Sequence, residues 1–300
     1  VSFPWSMIDK ITPRPDASVK KMLEDAGFTD TESIVTSKNT YVAPFVNAEE
    51  AQYLVIENAF PNGRPALENA GVMFTSRETV EKVERMKVCT CLNPLHTALA
   101  VYGCLLGYTK ISDEMKDADL VKLVEIIGYK EGLPVVTDPG ILSPKKFIDE
   151  VLQIRVPNPF MPDTPQRIAC DTSQKLSIRF GETIKEYMAS SELDVKSLKF
   201  IPMVQAGWCR YLLGVDDELN AFTVSPDPMY EELAGKLAGV KVGESCDVHA
   251  VLSPILSDAK IFGVNLYEAG LGEYVESIFA ELIAGKGAVR ETLKRHLAEA

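Results

Sequence analysis

Apolar positions fall into two textures along these 300 residues. Up to about residue 75 they come in short runs rich in β-branched and aromatic side chains: "VSFPW", "SIVTSKNTYVAPF" and "QYLVIENAF". Such runs predict strands, because those side chains fit a pleated, half-buried surface. Between them, "ASVKKMLEDAGF" predicts a helix ended near Gly27, and "FPNGRPALENAG" predicts a turn from its Pro, Asn and Gly. From about residue 76 the spacing turns helical. "SRETVEKVERMK" opens on a Ser that can cap, followed by an acidic first turn. "PLHTALAVYGCLLGY" is apolar almost all round, which predicts a buried central helix. "DADLVKLVEIIGYKEGL" and "SPKKFIDEVLQI" are amphipathic. "TPQRIACDTSQKLSIRFGETIKEYMASS" begins with a Thr cap and Pro at the first helical position, and predicts a helix of many turns. "SLKFIPMVQAGWCRYLLG", "DPMYEELAGKLAG", "GEYVESIFAELIAG" and "AVRETLKRHLAEA" complete an array of roughly eight to ten helices. The predicted class is mainly α: a mixed α/β segment at 1–75 joined to a helical body at 76–300, with no internal repeat.

Composition narrows the function. A 46% hydrophobic content and a mean hydropathy of +0.01 fit a globular chain with ample core. No run of eighteen apolar residues is present, and "VSFPWSMIDK" lacks the order of a signal peptide. The chain opens on an apparent strand rather than an initiator Met, so a piece of a longer polypeptide is expected. The net charge of −12 and pI near 4.9 argue against a general nucleic-acid footprint, yet leave room for a local basic pocket. Six cysteines show no CxxC spacing, which points to reduced thiols and the cytoplasm rather than to metal or disulfides.

A protein that binds a dinucleotide by itself usually shows GxGxxG between a strand and a helix. The nearest candidates, "AGLGEY" at 269–274 and "AGKGAV" at 284–289, follow no convincing strand and read as helix ends. No Walker A loop, GxSxG elbow or HExxH is present.

The segment "KVCTCLNPLHTALAVYGCLLGY" carries the chemistry worth weighing. It places Lys87, Asn93 and His96 just before or at the start of the apolar helix, in a chain with three histidines. Proton transfer at an alcohol carbon needs a base, plus donors that hold the reacting oxygen. A lysine serves when burial disfavours its ammonium. Asn93 and His96 lie one turn apart and share a helix face. Pro94 fits best at the first helical position, which would make Asn93 the cap. On the residues alone a plainer reading stands beside this one, with Asn93 as cap, His96 as a hydrogen-bonded core residue and Lys87 on the surface.

Five segments together resemble the polyol-specific long-chain dehydrogenase family: "FPWSMIDKITP", "QYLVIENAFPNGRPALENAG", "KVCTCLNPLHTALAVYGCLLGY", "RVPNP" and "RIACDTSQKL", in the family's order and approximate spacing. That family includes mannitol 2-dehydrogenase and fructuronate reductase, also called D-mannonate oxidoreductase. The resemblance implies a metal-independent, NAD- or NADP-dependent oxidoreductase with an amino-terminal Rossmann domain and a helical, 6-phosphogluconate-dehydrogenase-like carboxy-terminal domain. This chain resembles the second part, so the cofactor-binding residues are expected upstream of Val1 and the chain alone is expected to be inactive. The resemblance makes Lys87 the general acid/base and Asn93 with His96 the pair that polarises the oxygen. Arg155 is implied as a substrate contact, and Glu57, Asn58 and Lys175 fall in matching blocks and are expected to bind substrate too, although Asn58 stands where the family often has Asp and Lys175 reads equally as structural. One departure stands out. Five residues, not the family's four, separate Lys87 from Asn93, which in a plain helix swings Lys87 by about 100°. A bulge could absorb it; without one Lys87 is misplaced and its assignment as the base fails, with Asn93 and His96 unaffected. Trp5 replaces a smaller residue and would narrow the pocket unless it faces the core, while Asp9 and Lys10 read as a salt-bridged turn. His249 and His296 are expected to have no catalytic duty.

The expected reaction interconverts a sugar acid or polyol and its keto form, with D-mannonate and D-fructuronate preferred and D-mannitol with D-fructose as the alternative. The expected partners are that small molecule and the Rossmann domain, with neither nucleic acid nor membrane. A rival from another class is a non-catalytic helical interaction domain, which predicts no pocket joining Lys87, Asn93, His96 and Arg155.

Overall fold

The computed structural model describes residues 1–8, 15–46, 53–161 and 163–300. Strand β1 (Ser6–Ile8) begins later than "VSFPW" predicts. Pro4 has no N–H to give to a ladder, so pairing is confined to the residues after it. Asp9 and Lys10 lie outside the described residues. Helix α1 (Ala17–Asp25) is capped by Asp16, whose carboxylate accepts from the Ser18 and Val19 N–H groups. Strands β2 (Ile34–Val35) and β3 (Tyr41–Val42) form an exposed hairpin. Strand β4 (Leu54–Glu57) pairs antiparallel with β1 and parallel with β5 (Met73–Thr75). Met7 and Val55 sit opposite each other, both buried, and join the helical core. The sheet lies against α2 (Arg77–Met86), which is capped by Ser76 and buries Val80, Val83 and Met86.

Helix α2 does not end at Met86. It passes through a π-helical turn, Lys87–Cys91, into α3 (Asn93–Leu105). The resulting rod, Arg77–Leu105, is 29 residues long and apolar enough to cross a membrane by composition; 83% of its apolar window is buried in the protein, which marks it as core. The cap position of α3 is Leu92, with no side-chain cap bond, so Asn93 is not the cap that Pro94 predicts. The π-turn supplies the reason. Pro94 cannot donate to the carbonyl four residues back, and the widened turn meets the proline where an α-ladder would fail.

The chain continues through α4 (Ile111–Glu114), α5 (Ala118–Glu125), a second π-turn at Ile126–Gly132, α6 (Pro144–Glu150) and a third π-turn at Val151–Arg155. The long helix predicted over 164–191 is broken into α7 (Pro165–Ile168), a 3-10 turn at Thr172–Gln174, a fourth π-turn at Ser177–Gly181 and α8 (Glu182–Ala189). The break falls at Asp171, held at φ 51° in the left-handed region that no helix interior accepts. Then follow α9 (Phe200–Tyr211), α10 (Tyr230–Leu237), α11 (Val248–Leu256), α12 (Ala259–Phe262), α13 (Gly272–Leu282) and α14 (Ala288–Ala298). Helix α11 is absent from the sequence reading because it contains Pro254, normally a breaker.

Every residue of α9 is buried, and it packs on α3 and α13. Gly207 lets the Tyr102 ring lie against its backbone, since a Cβ there would stand 3.0 Å from the ring. The Tyr102 hydroxyl donates to the Met203 carbonyl at 3.2 Å. The first N–H groups of a helix have no partner within it. In α9 they are met by Glu131 from the second π-turn, which accepts from Lys199, Phe200 and Ile201 at 2.7, 2.8 and 2.7 Å.

Candidate functional site

A π-turn takes in one residue more than an α-turn and lets the helix resume in phase on its far side. The Leu92 N–H donates to the Lys87 carbonyl at 3.1 Å, a bond five residues long that closes this wider turn. A turn of this width can take up the extra residue expected between Lys87 and Asn93. Lys87 and Asn93 are both half-buried, as is His96. Among the described residues the Asn93 amide makes no hydrogen bond, while its backbone carbonyl accepts from the Thr97 hydroxyl at 2.8 Å.

His96 opens onto a cavity of about 30 Å³ lined by Leu92, His96, Ile111, Arg155, Val156, Met161 and Asp163. That space admits a water molecule but not a six-carbon guest. Of the residues singled out in the sequence, it brings together His96 and Arg155; Lys87, Asn93, Glu57, Asn58 and Lys175 are not in its lining. Arg155 ends the third π-turn and is 8% exposed. Asp163, which the sequence reading missed, is held by Arg167 through contacts of 2.6 and 2.8 Å, and its carbonyl accepts from the Ile111 N–H. Only its i, i+4 spacing to Arg167 marks it in the sequence, and that pattern is common on helix surfaces.

The remaining candidates have other partners. Glu57 accepts from the Trp5 N–H at 3.0 Å, tying β4 to the residue before β1. Asn58 accepts from Arg64 Nε at 3.1 Å, and Arg64 in turn covers the Phe74 ring. Trp5 is neither in the core nor in the cavity; its ring is half-exposed beneath Arg77 at 4.7 Å. Lys175 donates to the Cys170 carbonyl, and desolvation together with the nearby Arg179 charge pulls its ammonium below the ordinary lysine range. His249 and His296 meet Glu276 and Glu281, each at 2.8 Å, away from this cavity.

Arg179, also missed, reaches α3 from the fourth π-turn and donates through Nη1 to the Thr97 hydroxyl at 2.6 Å. Four π-turns thus run through the described helices, and each carries charge: Lys87, Glu131, Arg155 and Arg179. Such turns recur at functional sites because they aim side chains that a regular helix would place elsewhere.

The two glycine-rich segments do not cradle a phosphate. Gly270 adopts φ +76° at a turn, and a Cβ on Gly272 would stand 2.4 Å from the Tyr267 ring, so that glycine is needed for packing. Gly287 is the left-handed residue that starts α14. The described residues do not fit a dinucleotide-binding loop. No group of three His, Cys, Asp or Glu side chains among them can hold a metal ion.

Comparison with known proteins bears on the whole chain. The model of the mannitol dehydrogenase C-terminal domain matches residues 79–278. A D-mannonate oxidoreductase of Thermotoga maritima is 60% identical over 98% of this chain and 55% of its own length. A polyol:NADP oxidoreductase of Gluconobacter oxydans is 31% identical over 79% of this chain and 45% of its own. The structure of Pseudomonas fluorescens mannitol 2-dehydrogenase, in ternary complex with NAD and D-mannitol, superposes with a TM-score of 0.76 at 26% identity, covering all of this chain and 55% of that one. The chain spans about half the length of the curated relatives it matches. It belongs to the mannitol dehydrogenase family and carries that family's carboxy-terminal domain.

Proposed function

We propose that this chain is the substrate half of an NAD- or NADP-dependent dehydrogenase that interconverts D-mannonate and D-fructuronate. The observation that carries this reading is the 60% identity to a D-mannonate oxidoreductase along 98% of the chain. Mannitol and fructose form the second reading, favoured by the likeness to mannitol 2-dehydrogenase at the lower identity of 26%. The nicotinamide cofactor, bound to an amino-terminal Rossmann domain, would give or take the hydride.

The chain's own residues have the remaining work. Lys87 is the proton carrier at the reacting oxygen: base when the alcohol is oxidised, acid when the ketone is reduced. Asn93 and His96 donate to the same oxygen and stabilise the charge that develops on it. The π-turn supports Lys87 in this role by absorbing the extra residue, and the Asn93 amide has no competing hydrogen bond among the described residues. Arg155 borders the cavity beside His96 and serves as a substrate contact. Glu57, Asn58 and Lys175 take a supporting place, because each already has a structural partner. Six unpaired thiols fit a cytoplasmic enzyme.

The test is to assay the full-length polypeptide with NADH and with NADPH on D-fructuronate and on D-fructose. Fructuronate reduction at a kcat/KM at least tenfold above that for fructose is expected. A preference for fructose replaces the first reading by the second, and failure on both removes the substrate assignment.

A further inference from the structure

Buried or half-buried charges in proteins are almost always matched by an opposite charge, because desolvating a lone ion is costly. In this acidic chain the rule is easily met. Arg64, Arg77, Arg85, Arg167, Arg290 and Arg295 each lie within salt-bridge distance of a carboxylate. Arg210, fully buried, donates to three backbone carbonyls instead. Arg179 stands apart. It is half-buried, no carboxylate among the described residues lies within 4.0 Å of it, and it makes one hydrogen bond, to the Thr97 hydroxyl. A guanidinium has five N–H donors, so most of its donor capacity is uncommitted. Its neighbour in sequence, Glu182, is engaged elsewhere, by Arg85 and Lys185.

Two further observations say what is missing. Lys175, one turn before Arg179, is likewise half-buried and bonds a carbonyl rather than a carboxylate, and among the described residues no carboxylate lies within 4.0 Å of either cation, Asp171 acting on Lys175 only from farther off. Desolvation pulls the Arg179 guanidinium down to about 10, as expected of a cation held without its counter-charge. The location matters as much. The Thr97 hydroxyl that receives Arg179 is the one that donates to the Asn93 carbonyl, and Thr97 adjoins His96. The uncommitted charge therefore sits against the turn that presents the two oxygen-polarising residues.

We propose that Arg179, backed by Lys175, holds the anionic end of the substrate: a carboxylate several carbons from the reacting oxygen, gripped by the guanidinium fork. This rests on the sugar-acid reading above and adds a residue that decides between sugar acids and neutral polyols. The same donors suit a phosphate of the cofactor, so the experiment has to separate the two sources.

The experiment uses the full-length polypeptide and the variants Arg179→Met, which keeps the stem and removes the charge, and Arg179→Lys, which keeps the charge and removes the fork. D-Mannonate binding is measured by calorimetry, and kinetics are followed on D-fructuronate, D-fructose and NADH. Arg179→Met is expected to weaken mannonate binding and raise the fructuronate KM about tenfold or more. The loss on fructose should be at least tenfold smaller, the NADH KM should change less than twofold, and Arg179→Lys should recover part of the binding. Equal losses on the charged and neutral substrates overturn the proposal. So does a rise in the NADH KM without a change in mannonate affinity, which assigns the charge to the cofactor phosphate. If Arg179→Met fails to fold, unchanged mannonate affinity in Arg179→Lys overturns it instead. Mannonate binding that depends on Arg179 in a protein without turnover removes the activity and leaves the subsite; fructuronate turnover indifferent to Arg179 does the reverse.

Discussion

The carboxyl of Glu114 occupies the space that a side chain on Gly103 would need. A Cβ on Gly103 would stand 2.1 Å from Glu114 Oε1 and 2.6 Å from Cδ. Glu114 is fully buried, and neither of its oxygens has a hydrogen-bond partner among the described residues. Burial, with Asp117 and Asp163 nearby, pushes its carboxyl up to about 9. It is a protonated acid at neutral pH, packed as though it were apolar.

The sign of the pH effect follows. Below the ordinary carboxyl range both folded and unfolded chains carry the proton, and Glu114 costs nothing beyond burial. As pH rises from about 4.5 towards 9 the unfolded chain releases the proton and the folded one keeps it, so stability falls. Glu114→Gln, which cannot ionise, should remove this fall. In urea titrations the variant should gain on the parent by several kcal/mol between pH 4 and pH 9. Parallel pH profiles would show that Glu114 ionises freely in the fold.

Gly103→Ala should destabilise the protein by about 1–3 kcal/mol, the usual range for overpacking a tight interior. In a Glu114→Ala background the same change should cost much less, since the colliding carboxyl is gone. A double-mutant cycle of denaturant midpoints reads the coupling directly; additive effects would mean that the two positions do not compete for one space.

Lys87→Ala in the full-length enzyme should lower kcat by orders of magnitude with little change in NAD(H) affinity. A subtler variant tests the π-turn. Deleting Val88 shortens the turn to α-helical length and should leave both flanks in phase. It should therefore be tolerated, by circular dichroism and by residual turnover, far better than deletion of Leu95 between Asn93 and His96. Equal damage from the two deletions would mean that the bulge does not compensate for the extra residue.

Glu131→Ala leaves three N–H groups at the buried start of α9 without an acceptor. A loss of about 3 kcal/mol or more is expected, with Glu131→Gln intermediate because one amide oxygen survives. The measurement is thermal or urea unfolding. A loss below about 1 kcal/mol would show that water replaces the cap.

Thiol labelling offers a check on the core. Cys89, Cys91, Cys104 and Cys209 are buried, and desolvation raises each thiol, Cys89 to about 11. Cys170 and Cys246 are only partly covered. A disulfide reagent at pH 8 should modify two thiols in the native protein and six after denaturation.

The helical body was legible because its signals are local. The Ser76 cap, the apolar run after Pro94 and the Thr164–Pro165 start all mark helices that exist. What escaped the sequence depends on distant partners. The break at Asp171 appears only when its N–H is seen donating to the Pro226 carbonyl at 2.9 Å. Helix α11 tolerates Pro254 because Leu252, Ile255 and Leu256 are buried in the common core. The same division holds for the site. His96 and Arg155 were singled out from segments about sixty residues apart, and they meet at one cavity. Arg179 carries no local mark and Asp163 only its common spacing to Arg167, since what they face lies across the fold.

The widened turn between Lys87 and Cys91 also bears on ancestry. A residue gained in a straight helix would rotate everything beyond it and scramble the buried surface; a turn as wide as this one can swallow a newcomer within five positions and let the flanks keep their bearings. Descendants of one enzyme can thus differ by a letter in the middle of their most telling signature. A search that insists on fixed intervals would pass over such lineages, whereas a pattern that permits one gap at this point would gather them in.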